Sequence, residues 1–141
     1  MSGDSTAGGP LLAYGPTGAS GQNGFSARQL SRIDEALTLS SHETGLTFSV
    51  YVGQLADPSR ATAEALFEQL AAKVEKPVLV AVSPEQRVLQ IVTGPDTASR
   101  LPNRACALAA LGMRASFANG DLTGGIVTGL RMLSDSAGQL G

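Results

Sequence analysis

The residues of this 141-residue chain best suited to chemistry are a few carboxylates and arginines set beside glycines. Asp121 stands in Asn119-Gly120-Asp121, with Gly124 and Gly125 just after it. At a helix start near the ends of strands, such a carboxylate serves as a calcium or magnesium ligand. It serves equally as a helix N-cap that accepts a backbone N–H. A hard cation needs several more oxygens. Asp96 and Glu43 are the candidates, with Asp57 behind them, and all fall at predicted element ends. Arg100 and Arg104 lie four apart after Thr93-Gly94. Such a pair clamps a phosphate or forms a solvated helix face. Gly120, Gly124 and Gly125 would let a phosphate approach a helix N-terminus, or let two helices approach each other closely. Neither a Walker lysine nor a Gly-x-Gly-x-x-Gly run accompanies them.

His42 is the only histidine and Cys106 the only cysteine. A Ser/His/Asp triad would have to use His42, which also suits a helix C-terminus as a cation. Cys106 lies among alanines, where burial makes a thiol unreactive. One cysteine excludes an internal disulfide and a Cys-rich zinc site, and one histidine excludes His clusters for transition metals. Ten basic against twelve acidic residues give a net charge of −2, which argues against a nucleic-acid binder. The longest apolar run, Ala105–Leu111, is far short of the ~20 residues that span a bilayer. The N-terminus lacks the basic start and apolar stretch of a signal peptide. The expectation is a cytoplasmic protein with no membrane insertion.

These side chains need elements to hold them. At 43% hydrophobic and 4% aromatic, the core must come from Leu, Val and Ala. Residues 1–24 hold 7 of the 17 glycines and a single charge, Asp4. Ordering so many glycines costs more than the Leu11–Tyr14 cluster returns, so a disordered tail is expected, with Leu11–Tyr14 docking locally. Residues 25–138 form one domain. Ser26 and Gln29 fit a capping box at the first helix, and Gly45 fits its stop. Leu46–Val52 alternates as a strand with one apolar face, leaving Thr47, Ser49 and Tyr51 on the other. That polar face lines a pocket, meets a partner or satisfies helix ends. Asp57-Pro58 reads as N-cap and first residue of a second helix. Val78–Val82 is a continuous apolar run, hence a strand buried on both faces. Ser83–Gln86 is a turn, and Arg87–Thr93 returns antiparallel. Pro102 suits the first position of a third helix, whose Ala-rich stretch to Phe117 predicts deep burial. Leu122, Ile126, Leu130 and Leu133 mark the last helix. The order α-β-α-β-β-α-α gives an α/β domain with helices on both faces of a mixed sheet.

This order and its motifs resemble the TPM domain, a superfamily that includes thylakoid-lumen proteins of photosystem II repair. The matching segments are Leu37–Val52, Val78–Gly94 and Phe117–Leu133. The last reads Phe-Ala-Asn-Gly-Asp-Leu-Thr-Gly-Gly-Ile. It is similar to the family's Phe-x-x-Gly-Asp-Tyr-x-x-Gly-Leu, and Asp121 matches the family's aspartate. The likeness covers about residues 25–138 and points to a short bacterial branch. It implies a three-layer α/β/α sandwich, and either weak acid phosphatase activity with calcium binding or an interaction and assembly role. The aspartate that the family has after the hairpin is Asn103 here. Two functions are therefore expected. The first is a non-catalytic module for an unidentified protein partner. The alternative is a weak phosphatase dependent on Ca2+ or Mg2+, with Asp121, Asp96 and Glu43 on the metal and Arg100 and Arg104 on phosphate.

Overall fold

The first helix starts where its capping signals stand. Ser26 Oγ accepts from the Gln29 N–H at 3.1 Å, and Gln29 Oε1 accepts from the Ser26 N–H at 2.8 Å. This reciprocal pair stabilises the helix start by about 1 kcal/mol. The computed structural model describes residues 11–14 and 25–138. In it α1 runs Ala27–Thr44 and ends at Gly45, whose φ of 78° is the left-handed cap that glycine adopts freely.

Four strands follow the apolar patterning: β1 (Leu11–Tyr14), β2 (Thr47–Val52), β3 (Pro77–Ser83) and β4 (Val88–Thr93). They form one sheet in the order β1-β2-β3-β4. The first two pairings are parallel and the third is antiparallel. Val80 of β3 sits between Val50 and Ile91, and β3 is buried along its whole length. On one face, Phe48, Val50, Val80 and Leu89 meet Ile33 and Leu37 of α1 and Ile126 and Leu130 of α4 (Leu122–Ala137). On the other, Leu79, Ala81 and Val92 meet Ala63, Phe67 and Leu70 of α2 (Ser59–Ala71). The result is the expected three-layer α/β/α sandwich with a mixed sheet.

A strand precedes the expected order. Leu11–Tyr14 pairs with Ser49–Val52 as the parallel edge strand β1. The remainder of the expected tail lies outside the described residues. Neither proline is the first residue of its helix. α2 begins at Ser59 and α3 (Asn103–Ala118) at Asn103, with extended Pro58 and Pro102 at the N-cap positions. Asp57 is thus one residue too far back to cap α2, and no side chain does so.

The deep burial expected of α3 is also corrected. Only Ala109 and Met113 are buried, while Leu108 and Leu111 are 55% and 65% exposed. The reason is position. α3 packs along one side on α4 and β4, and its opposite side has no covering element among the described residues. Glycines set that approach. A Cβ on Gly125 would stand 2.6 Å from Phe117 Cε1, and one on Gly129 would collide with Met113 Sδ.

Two further devices hold the layers. Arg100 Nη1 donates to Thr44 O at 2.7 Å, Nη2 to Gly138 O at 2.7 Å and Nε to Ala137 O at 3.1 Å. It binds the C-terminal carbonyls of α1 and α4, which carry partial negative charge. Along the outer edge of β4, Arg60 Nη1 donates to Ile91 O at 3.0 Å. Arg114 Nη2 reaches Leu89 O at a long 3.4 Å.

Replacing a helix glycine by alanine ordinarily stabilises by about 1 kcal/mol. Gly129→Ala should instead lower stability by about 1–2 kcal/mol, because overpacking against Met113 outweighs the gain. Gly112 faces only the flexible end of Met132, whose Sδ lies 3.2 Å from the point a Cβ would occupy. Gly112→Ala should be neutral or stabilising. Denaturant unfolding of both variants gives the two signs.

Candidate functional site

Strands β1 to β3 run parallel, so their C-terminal ends share one end of the sheet, where open α/β sheets place ligands. The turn joining β3 to β4 and the joint between α3 and α4 meet there. Gln86 fixes the turn. Its Oε1 accepts from Ser83 Oγ at 2.6 Å and from the Leu55 N–H at 2.8 Å. Its Nε2 donates to Leu55 O at 2.9 Å. The next residue, Arg87, has a φ of 58°, a left-handed conformation that costs a side-chain-bearing residue about 1–2 kcal/mol. Across from it, α3 ends in a tight turn. The Gly120 N–H bonds Phe117 O at 2.9 Å, the Asp121 N–H bonds Ser116 O at 2.9 Å, and Gly120 has a φ of 82°.

Between turn and joint lies a cavity of about 450 Å³. Val82, Leu89, Phe117 and Leu122 form its apolar walls, and Arg87 and Arg114 supply its charge. Among the described residues, none of those that line it is a carboxylate.

Asp121 stands at this end, as the N-cap of α4. Its Oδ1 accepts from the Gly124 N–H at 2.9 Å. That geometry realises the capping reading. A Cβ on Gly124 would strike the Asp121 carboxylate. The three glycines therefore do different things: Gly120 turns the chain, Gly124 makes room for the cap, and Gly125 admits Phe117.

The other candidates lie elsewhere. Glu43 is exposed at the C-terminal end of α1, where it accepts from Ser134 Oγ at 3.5 Å. Asp96 is exposed in the turns after β4. Both stand at the opposite end of the sheet from Asp121, because α1 feeds the start of β2 and β4 runs antiparallel. Among the described residues, no group of three or more His, Cys, Asp and Glu is placed to hold a metal ion. These residues do not fit a shared metal centre. Arg100 and Arg104 do not share a helix face, since Pro102 intervenes. Arg100 is engaged by three carbonyls, and Arg104 is exposed in the first turn of α3. Arg87 and Arg114 are the site's arginines. The signal that could have found them is their place beside a strand-joining turn and a helix–helix joint.

On the polar face of β2, two of the three side chains bond to backbone carbonyls. Thr47 Oγ1 donates to Glu75 O at 2.8 Å and Tyr51 Oη to Gln54 O at 3.0 Å. Burial raises the Tyr51 phenol above its usual pKa. Ser49 Oγ is buried with no partner among the described residues. His42 is exposed in the last turn of α1. Burial pushes the Cys106 thiol up, and Arg60 acts more weakly in the opposite direction.

A family model described as a domain of unknown function, DUF5130, matches residues 8–134. The chain belongs to that family. The DUF5130 domain is 32% identical over 113 residues to "Uncharacterized protein Rv2468c" of Mycobacterium tuberculosis H37Rv. It has the same identity to "Uncharacterized protein MT2543" of the CDC 1551 strain. The match covers 78% of this chain, which spans about 65% of the length of those relatives. Solved structures share the fold. The N-terminal domain of a protein from P. gingivalis superposes with a TM-score of 0.74 at 16% identity, over 94% of this chain and 83% of that one. The N-terminal domain of cg2496 from Corynebacterium glutamicum gives 0.70 at 12% identity, over 97% and 85%. BA42 from Bizionia argentinensis gives 0.67 at 16% identity, over 80% and 81%. The finding is thus a small α/β domain of the DUF5130 family; the TPM likeness remains one of element order and motif. No helix among the described residues is long and apolar enough to cross a membrane.

Two outcomes check this geometry. Calcium titrated at fixed ionic strength should leave the amides of Asp96 and Gly120–Leu122 unmoved to millimolar concentration. Saturable shifts at both with one midpoint would reinstate a shared site. Alkylation of Cys106 by iodoacetamide at pH 8 should be slower than that of a free thiol and keep rising past pH 9, since only the thiolate reacts.

Proposed function

We propose that this DUF5130 domain is a non-catalytic protein-interaction module, and that its contact surface is the outer side of α3. The observation that carries this reading is the exposed apolar stripe of Ala107, Leu108, Leu111 and Ala115. Its spacing of three and four residues makes one continuous helical face. The charges on α3 favour one kind of partner. Arg104 and Arg114 are its only charged residues; Arg104, four positions before Leu108, is the charge beside the stripe, while Arg114 reaches toward Leu89 O. A parallel second copy of α3 would set Arg104 against Arg104. An amphipathic helix with apolar residues at the same spacing and acidic residues beside them is complementary in shape and sign.

In this reading the domain is TPM-like and acts in the cytoplasm, on the element order and motifs set out above. A second reading, weak phosphomonoester hydrolysis with Ca2+ or Mg2+, comes with that resemblance. Asp121 at the strand ends supports it, and the distance of Asp96 and Glu43 from Asp121 counts against it.

Selection of a displayed library of amphipathic peptides on the intact protein tests the binding reading. Enriched peptides should carry acidic residues flanking an apolar i, i+3, i+7 stripe. Leu108→Ser with Leu111→Ser should abolish their binding while changing stability by less than about 1 kcal/mol, as both side chains are exposed. Enrichment of basic peptides, or binding that survives the double substitution, would reject the surface.

A further inference from the structure

The cavity at the strand ends lies apart from the α3 stripe and has its own chemistry. Its volume of about 450 Å³ falls within the roughly 300–1,000 Å³ of small-molecule pockets. Val82 and Leu89 are almost wholly buried beneath it, and Phe117 and Leu122 are half-buried at its side. An apolar body would displace water from those walls. Arg87 and Arg114 then decide the charge of what enters. Arg87 has no side-chain hydrogen bond or ion pair among the described residues. Arg114 uses one N–H, in a long contact to Leu89 O, and keeps its other donors.

Arg87 is also held in place. Gln86 ties the turn to the Leu55 backbone and to Ser83 through three hydrogen bonds, so the arginine's backbone is fixed before any ligand arrives. Its left-handed φ is a position that glycine or asparagine would occupy with less strain. A long cationic side chain at such a position is an observation in want of a function. The α4 N-terminus nearby does not offer an anion site of its own, because Asp121 already accepts from the Gly124 N–H.

We infer that this cavity binds a small anionic amphiphile, with a carboxylate or phosphate head held by Arg87 and Arg114 and an aliphatic body against Val82, Leu89, Phe117 and Leu122. Guanidinium groups suit both heads through paired hydrogen bonds.

Amide NMR of the full chain, titrated with octanoate, octyl phosphate, inorganic phosphate and octylammonium, tests this. Octanoate, octyl phosphate or both should give saturable shifts at Ser83–Leu89 and Phe117–Leu122, and whichever binds names the head group. Arg87→Gln and Arg114→Gln should each weaken that binding about tenfold, the scale of a lost charged hydrogen bond. Arg87→Gly should weaken it equally while raising the denaturation midpoint, which a structural role for the arginine would not produce. Leu108→Ser with Leu111→Ser should leave binding unchanged, which separates this site from the α3 surface. Equal binding of octylammonium, equal binding of inorganic phosphate without the alkyl chain, unchanged affinity in the arginine variants, or no saturable shift with either anionic amphiphile would each overturn the assignment.

Discussion

The close approach of α3 to α4 sets the character of this domain. Gly125 and Gly129 present no side chain to α3, so Phe117 and Met113 settle directly against the α4 backbone. A methyl group at either place would push the helices apart. Because α4 also packs on α1 and the sheet, this one contact fixes where the outermost helix lies. Met113 is then fully buried in the core, and the rest of α3 turns outward.

Three consequences follow from that placement. Leu108 and Leu111 face solvent from a helix whose composition suits an interior. Phe117 becomes a wall of the cavity. Arg114 comes within reach of both the cavity and the Leu89 carbonyl. The two surfaces proposed to bind therefore share a single helix. They differ in kind, one an open apolar stripe and the other a concave site with positive charge.

Much of the scaffold was legible in the sequence because its signals are local. The Ser26–Gln29 box, the Gly45 stop, the apolar run of β3 and the cap at Asp121 each act over a few residues. Burial of α3 was not legible. Periodicity reports how apolar a helix is, and which side is covered depends on neighbours far along the chain. β1 was hidden for a related reason: four residues among glycines become a strand through pairing with β2, far along the chain. The candidate site residues were legible by type and not by position. Asp121, Asp96 and Glu43 all sit at element ends, and it is the direction of the strands that puts Asp121 at one end of the sheet and the other two at the opposite end. Arg100, read as a phosphate ligand, is the clamp across the α1 and α4 termini. Arg87 and Arg114 drew no attention because they stand 27 positions apart, on either side of a strand, a turn and a helix start, yet share one cavity.

The two arginines on the rim of β4 have a consequence for how the molecule behaves in a crowd. An edge strand offers a row of backbone groups to any extended chain that drifts alongside. Here two of the outward carbonyls, Leu89 O and Ile91 O, already accept from guanidiniums that arrive from opposite layers of the sandwich. An incoming strand would have to strip both cations and leave them beside apolar sheet. That arrangement works against template-like growth on the β4 side through where charge is placed and not only through net charge.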